Sequence, residues 1–313
     1  MHRQETIGPL IQRNPVSADS AYQAFWEREA AGCGKSADVL TIMLAVSACP
    51  IRCTMCDLWR NTLVAKTPPG AVPHQIRRAI EQLHVDAPKS SRGGLGNRPR
   101  WIKLYNSGCF FDPSSIPPDD YESIGRLVSG FDRIIVENHP RFDQGRLQNF
   151  ARHIDGQLEI AVGLETVQPR WLNRMKKRMT RDTFDDYAMR LRSNDVDLRV
   201  FLIWGVPGVS HVEASRWTVM SALHASRIGA RHISIVPARR GNGWGEFKQP
   251  IPDANPMDLA LLQQQLIRKI GHQTVVTVDL WDMDRDQPAD VREALEQIGE
   301  LNQHQDIAMY QKP

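Results

Sequence analysis

VLTIMLAVSACPIRCTMC, residues 39–56, opens as an almost unbroken apolar run and closes with three cysteines, Cys49, Cys53 and Cys56, in eight positions. The run, 39–46, reads as a strand covered on both faces, as strands of a parallel sheet are. The cysteines then fall on the loop that leaves the strand.

The same pattern recurs downstream. Strand-like segments follow at 101–108, 133–140, 158–166, 198–207 and 232–239, with helix-like segments at 74–85, 119–130, 181–193 and 211–228. Each strand-to-strand unit spans roughly the 30 or more residues of a βαβ crossover. The expected fold is therefore α/β, a partial (β/α)6 TIM-like barrel over residues 37–250. Residues 17–31 read as a helix with Ser17 or Asp19 as cap, which makes 1–36 an N-terminal helical extension. Residues 251–313 read as an α+β extension packed on the barrel, with helices at 256–270 and 289–302 around a strand-like 273–281. The Gly, Pro, Ser and Arg-rich segment 87–100 reads as a surface loop.

Bulk properties narrow the class. The 313 residues are 41% hydrophobic and 24% charged, and the mean hydropathy is -0.41. These are values of a soluble globular chain, and no run approaches the ~18 apolar residues of a membrane span. The first twenty residues lack the apolar core of a secretory signal, so a cytoplasmic setting with reduced thiols is expected. A net charge of +3 is too mild to establish nucleic-acid binding. The one dense basic segment, 174–181, reads equally well as a solvated helix end.

Clustered cysteines in a reducing setting point to metal ligation or catalysis. A structural zinc site takes four protein ligands, whereas Cys33 and Cys109 are single and distant in sequence. Three thiolates on one loop suit a [4Fe-4S] cluster whose fourth iron stays open to an exogenous ligand.

CxxxCxxC after the first strand of a βα series resembles the radical S-adenosylmethionine (SAM) superfamily. The resemblance implies that SAM chelates the open iron and that reduction of the cluster yields a 5'-deoxyadenosyl radical. It also implies an electron donor such as flavodoxin or ferredoxin. Met55 stands where the superfamily places an aromatic residue before the third cysteine, and its polarizable thioether can pack over adenine or cluster. Further motifs occur in the superfamily's order at successive strand ends. Asn106, Ser107 and Gly108 match the small-residue segment that admits SAM's zwitterion. Glu137 resembles the carboxylate of the "ETRP" motif of the superfamily's Elp3-like branch, with Asn138 and His139 in place of Thr and Arg. Glu165 stands at the position that serves the ribose, and Lys177 matches the lysine of an "NKG" turn, with Arg178 where that turn has glycine. Gly205 opens an adenine-facing turn. Tight turns and helix caps explain each of these segments individually. Their joint order carries the resemblance.

Within the superfamily, 103–117 and 279–281 are similar to the Elp3-like branch, which includes the radical SAM subunit of archaeosine synthase. This implies a tRNA nucleoside substrate, with tRNA or a tRNA-binding protein as partner. Segments 174–181 and 239–248, the latter with Trp244 and Phe247, are the candidate RNA contacts. Oxidation or rearrangement of a small metabolite or peptide is the alternative within the superfamily, and a non-catalytic iron-sulfur or zinc protein the alternative outside it. Cys109 reads as a small buried hydrophobe or as a thiol near the radical, and Cys33 as structural.

Overall fold

The computed structural model describes residues 13–32, 34–83, 99–239, 244, 247–281, 283 and 288–307. The loop expected at 87–100 falls almost wholly outside them, and so does Cys33. Eight strands form one nearly closed sheet in sequence order. They are β1 (Gln23–Gly32), β2 (Lys35–Leu44), β3 (Arg100–Asn106), β4 (Arg133–Glu137), β5 (Gln157–Glu165), β6 (Asp197–Trp204), β7 (Ala230–Pro237) and β8 (Val275–Val278). The helices are α1 (Ala71–Leu83), α2 (Tyr121–Val128), α3 (Arg146–Ala151), α4 (Pro169–Arg174), α5 (Arg181–Ser193), α6 (His211–Arg227), α7 (Pro256–Ile270) and α8 (Ala289–His304).

The six parallel strands expected from the sequence are β2 to β7, joined in parallel pairs. β8 adds a seventh parallel strand beside β7, so the chain beyond 251 continues the barrel sheet. The helix expected at 17–31 is absent. β1 stands there instead, antiparallel to β2, with Glu29 opposite Ala37 and Glu27 opposite Val39. Gly32 and Gly34, at φ of 96° and 70°, reverse the chain between the two strands. The strand wins because it carries Glu27 and Glu29 to buried cations on other strands.

Outward-facing residues of the strands, among them Leu40, Ile42, Ile102, Leu104, Ile160, Val200 and Ile235, are buried beneath the helices. Each contributes roughly 1.5–3 kcal/mol on burial. Local signals set the helix starts: Thr180 caps α5 through the Thr183 N–H at 3.1 Å, and Ser210 caps α6 through the Glu213 N–H at 3.2 Å.

Several inward-facing residues of the lower barrel are charged, beside the apolar Ala37 and Val39. Glu29 of β1 lies 2.5 Å from Lys103 of β3 and also pairs with Arg199 of β6. Glu159 of β5 lies 2.7 Å from Arg199, 2.7 Å from Arg231 and 2.9 Å from Arg133. Side chains from six strands meet only inside a barrel. Burial by itself would raise the carboxyl groups, but Arg199, Lys103 and His232 around Glu29, and Arg231, Arg199 and Arg133 around Glu159, hold both well below the usual range. Above this ionic layer the rings of Tyr105 (β3) and Phe201 (β6) meet edge to face across the lumen, with centroids 6.1 Å apart. The lower end is thereby plugged, and the C-terminal strand ends hold the open face.

Candidate functional site

The cysteine loop leaves β2 at that C-terminal face, and other loops fix it. Its start is held by the Ser47 N–H on Thr67 Oγ1 at 3.0 Å and by the Leu63 N–H on the Val46 carbonyl at 2.9 Å. Its middle is held by the Thr54 N–H on the Met175 carbonyl at 2.9 Å. The last contact joins the cysteines to the turn that carries Lys177. Cys49, Cys53 and Cys56 are all partly buried free thiols. Burial pushes the Cys56 thiol up to about 12 and raises that of Cys53. Cys49 is brought down to about 7, first by its contact with Cys109 and then by the backbone N–H groups of Ile51 and Arg52. Among the described residues, no three His, Cys, Asp or Glu side chains are grouped so as to hold a metal ion.

Lys177 is the electrostatic centre of the face. Its Nζ lies 2.5 Å from Glu165 Oε1, with the two side chains 10% and 9% exposed. Burial opposes its charge, but Glu165, Cys53 and Cys56 outweigh burial and raise its pKa. The pair lies across Gly163, where an added Cβ would come within 2.1 Å of Glu165 Oε1 and 2.6 Å of Lys177 Nζ. Unusual backbone sets the pair up. A register shift between Gly163 and Glu165 ends β5, and Glu165, Lys176 and Arg178 have φ of 64°, 52° and 53°. Arg178, which replaces the glycine of the resembling turn, thus adopts the left-handed conformation glycine would supply, at about 1–2 kcal/mol of strain. His139 braces the turn through Nε2, 3.0 Å from the Lys177 carbonyl.

At the end of β3, Asn106 donates its N–H to Glu137 Oε2 at 3.2 Å. Burial raises the Glu137 carboxyl to about 8, against the Asn106 N–H and Lys177, which lower it. Asn106 is 2% exposed, yet neither Nδ2 nor Oδ1 has a hydrogen-bond partner. Two unsatisfied buried polar atoms on one side chain mark a place for a polar ligand group. Ser107 is equally buried, and Gly108 lies so close to Ser115, Asn106 and the Ser47 carbonyl that a Cβ would meet contacts of 3.0–3.4 Å.

The structure therefore brings Cys49, Cys53, Cys56, Asn106, Ser107, Gly108, Glu137, Glu165 and Lys177 to one end of the barrel. Gly205 and Met55 sit to the side. Gly205, at φ 85°, ends β6 beside an apolar cleft lined by Thr166, Trp171, Ile203, Val206 and Trp217. Met55 packs with Trp171, Met175, Val206 and Trp244. Trp244 is 6% exposed within that cluster, so it does not present a free ring to a base. The basic run 174–181 divides: Lys176, Arg178 and Arg181 are exposed, as a solvated segment would have them, whereas Lys177 is buried and the Arg174 guanidinium lies 4.5 Å from the Trp171 ring centroid. Most of 239–248 lies outside the described residues.

Sequence reasoning missed the ionic layer, the contact of Cys109 with Cys49, and Tyr22. Lys103, Glu159 and Arg199, single charges inside apolar strands, were the available signal for the ionic layer. Tyr22, just before β1, lies half-buried within electrostatic reach of Ser107 and Glu137, and burial raises its hydroxyl pKa.

No family model matches the chain. HydG, a maturase of the [FeFe]-hydrogenase, superposes with a TM-score of 0.56 and 15% identity over 83% of this chain and 55% of that one. SuiB of Streptococcus suis bound to SAM gives 0.53 and 11% over 76% and 50%. Methylornithine synthase (PylB) gives 0.50 and 10% over 85% and 82%. The chain shares the nearly closed α/β barrel of these three structures. Among curated sequences, the uncharacterized protein MJ0550 of Methanocaldococcus jannaschii is 24% identical over 214 residues, 66% of this chain. The chain spans 56% of that relative's length and about half that of HydG and SuiB. Among the described residues, no helix is long and apolar enough to cross a membrane.

Proposed function

We propose that this chain is a radical SAM enzyme, with Cys49, Cys53 and Cys56 holding three irons of a [4Fe-4S] cluster. The observation that carries the reading is the meeting of the three-cysteine loop with the Lys177–Glu165 pair and the unpartnered Asn106 side chain on one barrel face. The donor set fits: soft thiolates suit iron-sulfur chemistry, and the buried lysine offsets part of their charge. When bound, the cluster supplies the electron that cleaves SAM reductively to a 5'-deoxyadenosyl radical.

The chain's own residues bind and orient. Asn106 offers an amide to SAM's amino acid end, and the close-packed Ser107–Gly108 backbone lets that end approach. Lys177 supplies a cation for its carboxylate, and Glu165 an acceptor for hydroxyl groups. Met55 and the Gly205 turn supply the apolar surface for adenine. The plugged lower barrel leaves the C-terminal face as the route for substrate. Flavodoxin or ferredoxin is the expected class of reductant.

The resemblance to the Elp3-like branch extends this reading to a tRNA nucleoside substrate, on the strength of 103–117 and 279–281 alone. Gel-shift with tRNA, for the chain alone and with any co-purifying protein, tests that extension.

The experiment for the chemistry is anaerobic reconstitution, reduction and incubation with SAM, followed by quantitation of 5'-deoxyadenosine. The expected result is product in the wild type and none in Cys49→Ala, Cys53→Ala or Cys56→Ala. Zinc with full protein ligation and no iron-sulfur absorbance overturns the reading.

A further inference from the structure

Cys109 follows the Asn106–Ser107–Gly108 segment, is 4% exposed, and places its Sγ 3.8 Å from Cys49 Sγ. On its other side, the Phe110 N–H bonds the Glu137 carbonyl at 2.8 Å, which ties the segment to the end of β4, two residues before His139. His139 in turn braces the Lys177 turn. Cys109 is thus held between two elements of the site, so the contact with Cys49 is built in from both sides.

Two sulfurs at this distance share one hydrogen bond, and iron binding would decide its direction. A cysteine bound to iron is a thiolate and has no proton to give. Cys109 then has to be the donor and Cys49 the acceptor. Hydrogen bonds to ligating sulfurs are among the factors that set the potential of an iron-sulfur cluster. Reduction adds a negative charge to the cluster and its thiolates, so a donor aimed at one of them stabilises the reduced form more than the oxidised form.

We propose that Cys109 is a positioning residue that donates its S–H to the Cys49 thiolate and raises the reduction potential of the bound cluster. This rests on the radical SAM reading above. Cys109 itself ligates no iron and touches no reacting atom.

The test compares wild type, Cys109→Ala and Cys109→Ser after anaerobic reconstitution. Iron and sulfide are counted, and the cluster is then titrated against redox mediators without SAM, its reduced form followed by electron paramagnetic resonance. All three proteins should carry the full cluster. The Cys109→Ala midpoint should move to more negative potential, and Cys109→Ser, which keeps a hydroxyl donor, should recover part of the shift. A Cys109→Ala midpoint equal to wild type overturns the proposal, and so does a Cys109→Ser shift as large as that of alanine. If Cys109→Ala alone loses the cluster while folding normally by circular dichroism, Cys109 is a ligand and the proposal is again overturned. Failure of the wild type to form a cluster is the separate result that removes the underlying function.

Discussion

Replacing Lys177 with methionine separates the structural from the ligand-holding part of the site. Lys177 and Glu165 are 2.5 Å apart and about nine-tenths buried. Methionine keeps the apolar stem but strips the charge, leaving a carboxylate beneath the cysteine loop without its cation. Breaking a buried pair from one side costs about 3–5 kcal/mol. For a chain of this size, at about 2 °C per kcal/mol, the melting temperature should fall by about 6–10 °C. The double variant Lys177→Met/Glu165→Gln removes both charges and should regain at least half of that loss, because no unpaired ion is left behind. SAM affinity should behave differently. Both variants should bind SAM at least tenfold more weakly than wild type, a loss of about 1.4 kcal/mol. The assays are thermal and urea unfolding of the ligand-free protein, and calorimetric SAM titration after anaerobic reconstitution. A single variant within about 1 kcal/mol of wild type, or a double variant no more stable than the single, refutes the pairing argument. Recovery of SAM affinity in the double variant refutes the role of Lys177 toward SAM.

Arg199→Met should destabilise the protein by about 3–5 kcal/mol at neutral pH, since Arg199 bonds both Glu29 and Glu159 inside the barrel. Both carboxyl groups are depressed in the folded state, so their stabilisation is complete above the ordinary value of 4.5 and is lost as pH falls through and below it. The gap between wild type and variant in urea melts should therefore narrow on acidification below about pH 4.5, and a gap that widens contradicts the assignment. Asn106→Leu removes two unsatisfied buried polar atoms at similar volume, so the ligand-free protein should melt no lower than wild type. The same variant should lose at least about tenfold in SAM affinity. A lower melting temperature with unchanged SAM binding would show that the amide serves the fold instead.

Much of the site was written in short segments. CxxxCxxC, Asn106–Gly108, Glu137 and Glu165 are local signals at or just after strand ends, and a parallel barrel carries every strand end to the same face; Lys177, in the turn between α4 and α5, reaches that face by folding back onto Glu165. Arg178 shows the limit of such matching. The residue type argued against the glycine of the resembling turn, yet the backbone takes the left-handed form because the turn is held by His139 and the Thr54 contact. The segment 17–31 misled for a related reason. Its composition and caps favour a helix locally, while Glu27 and Glu29 gain buried partners only as a strand.

The sequence by itself determined the order of parallel strands and helices and the three thiols on one loop, because strand burial and cysteine spacing are properties of neighbouring residues. Only the tertiary structure decided that Glu29, Lys103, Glu159 and Arg199 plug the lumen, that Lys177 pairs with Glu165, and that Cys109 reaches Cys49. Those contacts join residues 12 to 170 positions apart. No local pattern encodes such a distance, and closure of the barrel is what brings them together.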